Sequence, residues 1–311
     1  MSNMRAGRRC GVIAVCACLG IALFGWPPTT ARASSDHMGL VESTAVRVFF
    51  EPGHETTASY IVAEAPAIGR ELEEATGLAF DFRPTVIPVS TRPRFRLLGG
   101  HDGISAFALP DQNQVVVDLS RFDAHPTSLR PVLKHEFAHL LLHRHIASQG
   151  LPRWLDEGIA QYLSDGISEY LPDRSSVLGE AFAAKRVFPL AVLTDVFPSD
   201  RFGRQLAYEQ SRSITLFMVR RYGDHMIPAL LRRMAEGANV AEAFADLGGM
   251  GLADFEQDWR HHKTAPLSWL GLVAGQVYGL LFFLGALATL IGYLRHRRRR
   301  KAYATLEDED D

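Results

Sequence analysis

The stretch "LKHEFAHLLLHRH", residues 133–145, holds four histidines and one glutamate, and its reading decides what the rest of the chain is for. His135-Glu136-Phe137-Ala138-His139 has the HExxH form. On an α-helix, residues four apart are offset by about 40° and displaced by about 6 Å, so both imidazoles reach one ion. Glu136 then lies at the edge of the same face, where it can hold a water on the metal without being a ligand itself. The five-residue pattern alone recurs by chance, the more so in a chain with 12 histidines.

A catalytic zinc needs a third protein ligand, and two residues compete. His145 follows His135 by the spacing of the metzincin pattern HExxHxxGxxH, but that pattern breaks its helix at a glycine where this chain has Leu142. A helix continuing through Leu140, Leu141 and Leu142 carries His145 about 80° off the metal face and roughly 15 Å along the axis. His143 drifts off the face one turn beyond His139, so both late histidines are expected at the surface or behind the ligands. The other candidate is Glu157 in "LPRWLDEGIAQYL", residues 151–163. Pro152 suits a helix start, and Leu155, Ile159 and Leu163 form an apolar stripe. Gly158 costs a helix about 1 kcal/mol relative to alanine, which predicts close approach of a neighbouring helix. Two antiparallel helices joined near Gln149 and Gly150 would set Glu157 opposite the histidines. The alternative for Glu157 is an exposed acid in a first helical turn, favoured by the dipole.

Both ends of the chain read as membrane signals. Residues 1–33 begin with Arg5, Arg8 and Arg9, continue through an apolar run, and close on Ala31-Arg32-Ala33, the small-x-small form of a cleavage site. A cleaved secretory signal is the expectation, with an uncleaved anchor as the alternative. All three cysteines (Cys10, Cys16 and Cys18) lie inside it, so the mature chain has no disulfide and no thiolate ligand. Residues 268–294 carry no charged side chain, are flanked by Trp269 and Tyr293, and are long enough for a tilted transmembrane helix. The basic cluster from Arg295 to Lys301 places the tail 295–311 in the cytoplasm and residues 34–265 outside it. Gly271, Gly275 and Gly279 form a stripe along which two such helices could pair as a homodimer. The whole chain carries a formal net charge of −2, and losing Arg5, Arg8, Arg9 and Arg32 makes the mature protein more acidic. Nucleic acid is therefore not an expected partner.

With 311 residues and 47% apolar content the chain can bury a sizeable core. Strands are predicted over residues 46–50, 85–90, 104–109 and 114–119, the last pair joined by a turn at Pro110 to Asn113, and a helix over 55–76 ends at Gly77. From Thr127 onward helices dominate: one from Ser128, its cap, through the motif, then 152–163, 204–222, 225–236, 240–247 and 252–263. The fold class is α+β: a small mixed sheet with an edge strand, a mainly helical zincin-type catalytic domain, and one C-terminal transmembrane helix.

HEFAH, followed after 17 residues by the glutamate of "WLDEGIAQY", resembles the gluzincin metallopeptidases, specifically the peptidase MA-like bacterial proteins. The likeness spans roughly residues 46–262, with "AYEQSRS" around Tyr208 and the "RYGDH" and "FEQDWR" segments. It implies Zn²⁺ held by His135, His139 and Glu157, Glu136 as general base, and hydrolysis of peptide or protein substrates. It also implies that the edge strand 104–109 lines the cleft and pairs with a peptide. Tyr208, with His225 behind it, is the candidate oxyanion donor. Some gluzincins orient a histidine with an aspartate four residues after the ligand glutamate; here that position is Gln161. An intramembrane protease is excluded by the charges flanking HEFAH. A noncatalytic, membrane-anchored metallopeptidase-like adaptor is the other reading, although a purely structural zinc has no use for Glu136 between its ligands.

Overall fold

Short β-branched runs and one long amphipathic helix build the first half of the domain. The structure, a computed structural model, describes residues 38–122, 129–165, 176–264 and 279–295. Strands β1 (Gly39–Glu42), β2 (Arg47–Phe50), β3 (Thr85–Val89), β4 (Ala106–Leu109) and β5 (Gln114–Asp118) form one sheet in the order β1-β2-β3-β5-β4. The inner strands β2, β3 and β5 run parallel, and β1 and β4 are antiparallel at the two edges. Parallel neighbours need a crossover, and helix α1 (Glu55–Thr76) supplies it between β2 and β3. Its buried residues Ala58, Ile61, Ala65, Ile68 and Leu72 recur at helical spacing and cover one face of the sheet together with Val48, Val86, Val115 and Val117. Gly77 ends it at φ 68°, a left-handed conformation that glycine adopts without a Cβ clash, and its N–H bonds to the Glu73 carbonyl at 2.8 Å.

The opposite face holds a smaller cluster of Val89, Phe95, Ile104, Phe107 and Val116, capped by helix α2 (Arg92–Leu97). With side chains buried on both faces, β3 and β5 read in sequence as nearly continuous apolar runs.

The second half is helical: α3 (Leu129–His145), α4 (Arg153–Leu163), α5 (Leu178–Ala183), α6 (Arg201–Tyr222), α7 (Met226–Ala235), α8 (Val240–Gly248) and α9 (Leu252–Thr264). Helix α3 lies against α1 and the β4 and β5 strands on one side and against α4 on the other. Leu133, Phe137, Leu140, Leu141 and Leu142 are buried along it. Each such side chain contributes about 1.5–3 kcal/mol on leaving water, so α3 is fixed by packing and not by propensity.

Where pattern and structure differ, the causes are local. The predicted strand at 104–109 begins at Ala106, and α6 begins at Arg201 because Asp200 caps it, its Oδ1 accepting the Gly203 N–H at 2.8 Å. Strand β1 and helices α2 and α5 were not anticipated; each is six residues or shorter. Segments of that length hold too few turns or alternations for a period to show.

The signal segment 1–33 and the cap Ser128 lie outside the described residues. So do residues 265–278, the first part of the expected membrane span, with Gly271 and Gly275. Residues 279–295 are helical and exposed, with open space at Gly279. Among the described residues no helix is long and apolar enough to cross a membrane, so the expected transmembrane helix is not part of the described fold.

Candidate metal centre

Helices α3 and α4 pack antiparallel, and the facing turns bring three donors together. His135, His139 and Glu157 each offer one atom, all within 4.8 Å of one another. The two Nε2 atoms are 3.1 Å apart, and Glu157 Oε2 is 3.8 Å from each. The site is deeply set: His135 and Glu136 are 0% exposed and Glu157 is 3% exposed.

Glycine makes this approach possible. A Cβ on Gly158 would lie 2.7 Å from the Ser211 carbonyl oxygen of α6 and would collide with Thr215 Oγ1, so only glycine lets α4 sit this close to α6. The expected close helix contact is therefore found, and its partner is α6. Gln161 ties the same two helices, its Nε2 donating to the carbonyls of Glu157 and Tyr208 at 3.1 and 3.2 Å.

Each histidine ligand has a partner for its other nitrogen. Asp156 Oδ1 lies 2.7 Å from His139 Nδ1, and Ser164 Oγ lies 3.4 Å from His135 Nδ1. The Ser164 hydroxyl donates to the Ala160 carbonyl at 2.7 Å, which leaves its lone pairs for the imidazole N–H. Protons held at both Nδ1 atoms leave both Nε2 lone pairs for a metal. Gln161, where a histidine-orienting aspartate would stand, is instead spent on backbone carbonyls.

Charge points the same way. Burial pushes the His139 pKa down, but the Asp156, Glu157 and Glu136 carboxylates outweigh it and draw it well above that of an ordinary histidine. Burial pushes the Asp156 carboxyl up, and the His139 and His143 rings more than reverse this, holding it well below the usual carboxylate range. Three buried carboxylates around two imidazoles make a strongly negative pocket, which a divalent cation offsets. The N₂O donor set, with a coordination position left for water or substrate, fits zinc.

A cleft of about 480 Å³ opens onto these residues, lined by His139, Asp156 and Glu157, by Ala108 and Asp111 at the end of the edge strand β4, and by Thr194 and Asp195 opposite. Arg153 stands in its wall, 3.7 Å from Glu157 Oε1 and stacked 5.0 Å over Phe197.

The other expected residues sort clearly. His145 turns away, its Nε2 2.8 Å from the Ala79 carbonyl oxygen, and α3 runs unbroken through Leu142. The metzincin alternative is thereby corrected: without a glycine the helix cannot return that histidine to the ion. Tyr208 is 5% exposed, packed edge-on against Phe197 at 5.2 Å, and is not among the residues lining the cleft. His225 flanks the start of α7, beside Gly223. Sequence reasoning missed Asp156 and Ser164 as partners of the ligands. Asp156 had a visible signal, since it directly precedes Glu157; Ser164 had none.

The Peptidase MA superfamily matches residues 102–265, which include both metal-site helices. No curated protein matches the chain. Among solved structures, yeast LTA4 hydrolase in complex with bestatin is 13% identical at a TM-score of 0.45, covering 71% of this chain and 36% of its own. The native yeast enzyme is 12% identical at 0.43, covering 68% and 36%. A mutant M1 zinc metallopeptidase from Deinococcus radiodurans is 15% identical at 0.41, covering 72% and 50%. The chain thus spans between about a third and a half of those proteins. By the extent of the family match, which takes in the paired histidines, Glu136 and Glu157, this chain belongs to the Peptidase MA superfamily.

Proposed function

We propose that the protein is a zinc-dependent metallopeptidase that hydrolyses peptide bonds of peptide or protein substrates outside the cytoplasm. The observation that carries the reading is the convergence of His135, His139 and Glu157 next to the buried carboxylate Glu136, with His139 and Glu157 reaching the wall of a cleft. Zinc held there supplies Lewis acidity, lowering the pKa of a bound water toward about 7 and polarising the scissile carbonyl. Glu136 takes the proton of the attacking water and delivers it to the departing amine. Its place between the two histidines, in the middle of α3, would put its carboxylate next to a bound metal without making it a ligand. The edge strand β4, whose Ala108 lines the cleft and whose outer side pairs with no strand among the described residues, would take an extended peptide as an added strand. Tyr208 is kept as the candidate second oxyanion donor and His225 as the alternative, although the Tyr208 ring packs on Phe197 and would have to turn to reach the cleft. The Tyr208 backbone is tied to that of Glu157 through Gln161, and unimpaired kcat in Tyr208→Phe would remove it from the mechanism.

The same reading anchors the protein in a membrane through residues 268–294, supported by the charge-free span, the basic cluster after it, and exposed Leu280, Phe282 and Phe283. Pairing through Gly271, Gly275 and Gly279 makes a homodimer, tested by crosslinking in membranes with Gly275→Leu.

The deciding experiment is zinc content by elemental mass spectrometry on the full chain. One zinc per chain, lost in His135→Ala and Glu157→Ala but retained in His145→Ala, supports the site. No zinc in the folded parent overturns it. Zinc bound with no turnover of any peptide or protein substrate, in the parent as in Glu136→Gln, favours the adaptor.

A further inference from the structure

Of the two places expected for His143, the surface or behind the ligands, the structure shows the second: it sits on the same carboxylate that meets His139. Asp156 Oδ1 meets His139 Nδ1 at 2.7 Å while Asp156 Oδ2 meets His143 Nε2 at 3.0 Å. The arrangement follows from helical periodicity on both sides. His139 and His143 are four apart on α3, so both side chains lie along one face. Asp156 precedes Glu157 by one residue, about 100° around α4, so it faces that histidine row while Glu157 faces the ion.

We propose that His143 is a positioning residue for the metal centre: its Nε2–H fixes the plane of the Asp156 carboxylate, and through it the orientation of the His139 ring. This rests on the metal site described above. A carboxylate held at one oxygen can turn about its Cβ–Cγ bond and swing the His139 N–H off line. Held at both oxygens by two N–H donors on one helix, it cannot. Both side chains line the cleft, His143 20% and Asp156 13% exposed. Ser148 Oγ lies 3.4 Å from His143 Nδ1 and favours the tautomer in which Nε2 carries the proton. Both His143 and Asp156 keep their roles with the ion bound, because neither uses an atom that zinc needs.

The test measures zinc affinity, not turnover, on the full chain in detergent, stripped of metal and titrated against a chromogenic chelator. His143→Ala is expected to weaken zinc by tenfold to a hundredfold, the range for lost outer partners of metal ligands. His143→Gln, whose amide N–H reaches about as far as Nε2–H, should stay within about threefold of the parent. The cobalt-substituted protein gives a second readout, since a tilted His139 ring alters the visible absorption of the Ala variant but not of the Gln variant. An Ala variant within threefold of the parent, or a Gln variant as weak as Ala, overturns the proposal. His135→Ala, run alongside, separates the two levels. If the parent binds zinc, His135→Ala does not, and His143→Ala matches the parent, only the role of His143 falls. If the parent binds none, the metal site itself falls, and this proposal with it.

Discussion

The two histidines of the candidate metal site sit one turn apart on the same helix, but what stands behind them differs. His139 is held by an ionised carboxylate at 2.7 Å, itself gripped by His143. Behind His135 is the neutral hydroxyl of Ser164 at 3.4 Å, at the far end of α4. A charged acceptor both orients an imidazole and makes it a stronger donor to the metal, whereas a hydroxyl chiefly selects the tautomer. Among the described partners, then, the charged support stands at the end of the site near the α3–α4 connection and the neutral hydroxyl at the end near Ser164.

Five measurements sharpen or break that contrast. Replacing either ligand, His135→Ala or His139→Ala, should abolish stoichiometric zinc, while Glu136→Gln keeps zinc and loses about a hundredfold to ten-thousandfold in kcat; zinc lost in Glu136→Gln would recast that residue as a ligand. Next, Asp156→Asn should weaken zinc about tenfold to a hundredfold in chelator competition, since the amide can still accept an N–H but carries no charge. Gly158→Ala should destabilise by about 1–3 kcal/mol, seen as a lower thermal midpoint, because its Cβ would press on the Ser211 carbonyl oxygen. Ser164→Ala should weaken zinc only a few-fold by the same competition; a loss equal to that of Asp156→Asn would erase the difference between the two ends. His145→Ala should leave zinc affinity unchanged, as its ring bonds to Ala79.

Much of this was legible in advance, and the reasons are local. HExxH on a helix is a statement about a 3.6-residue period, and Leu140, Leu141 and Leu142 extend that period past the point where His145 could return. Gly158 announced a close helix contact, and Gly77 the end of α1. Less legible were elements too short to show a period, such as β1 and α2, and contacts that pair residues far apart in the chain. Gln161 illustrates the limit: its position promised a histidine partner, and its amide nitrogen donates to the Glu157 carbonyl on its own helix and the Tyr208 carbonyl of α6.

Order along the chain, then, was enough to single out His135, His139 and Glu157, which the fold brings within 4.8 Å of one another, and the helices that bear them, because a periodic element converts spacing into direction. Which groups stand behind those ligands was not, because Asp156, His143 and Ser164 acquire their partners from the angle and depth at which α3, α4 and α6 pack. That geometry is set by side-chain volume and a missing Cβ, quantities that act between elements and leave no period in the sequence.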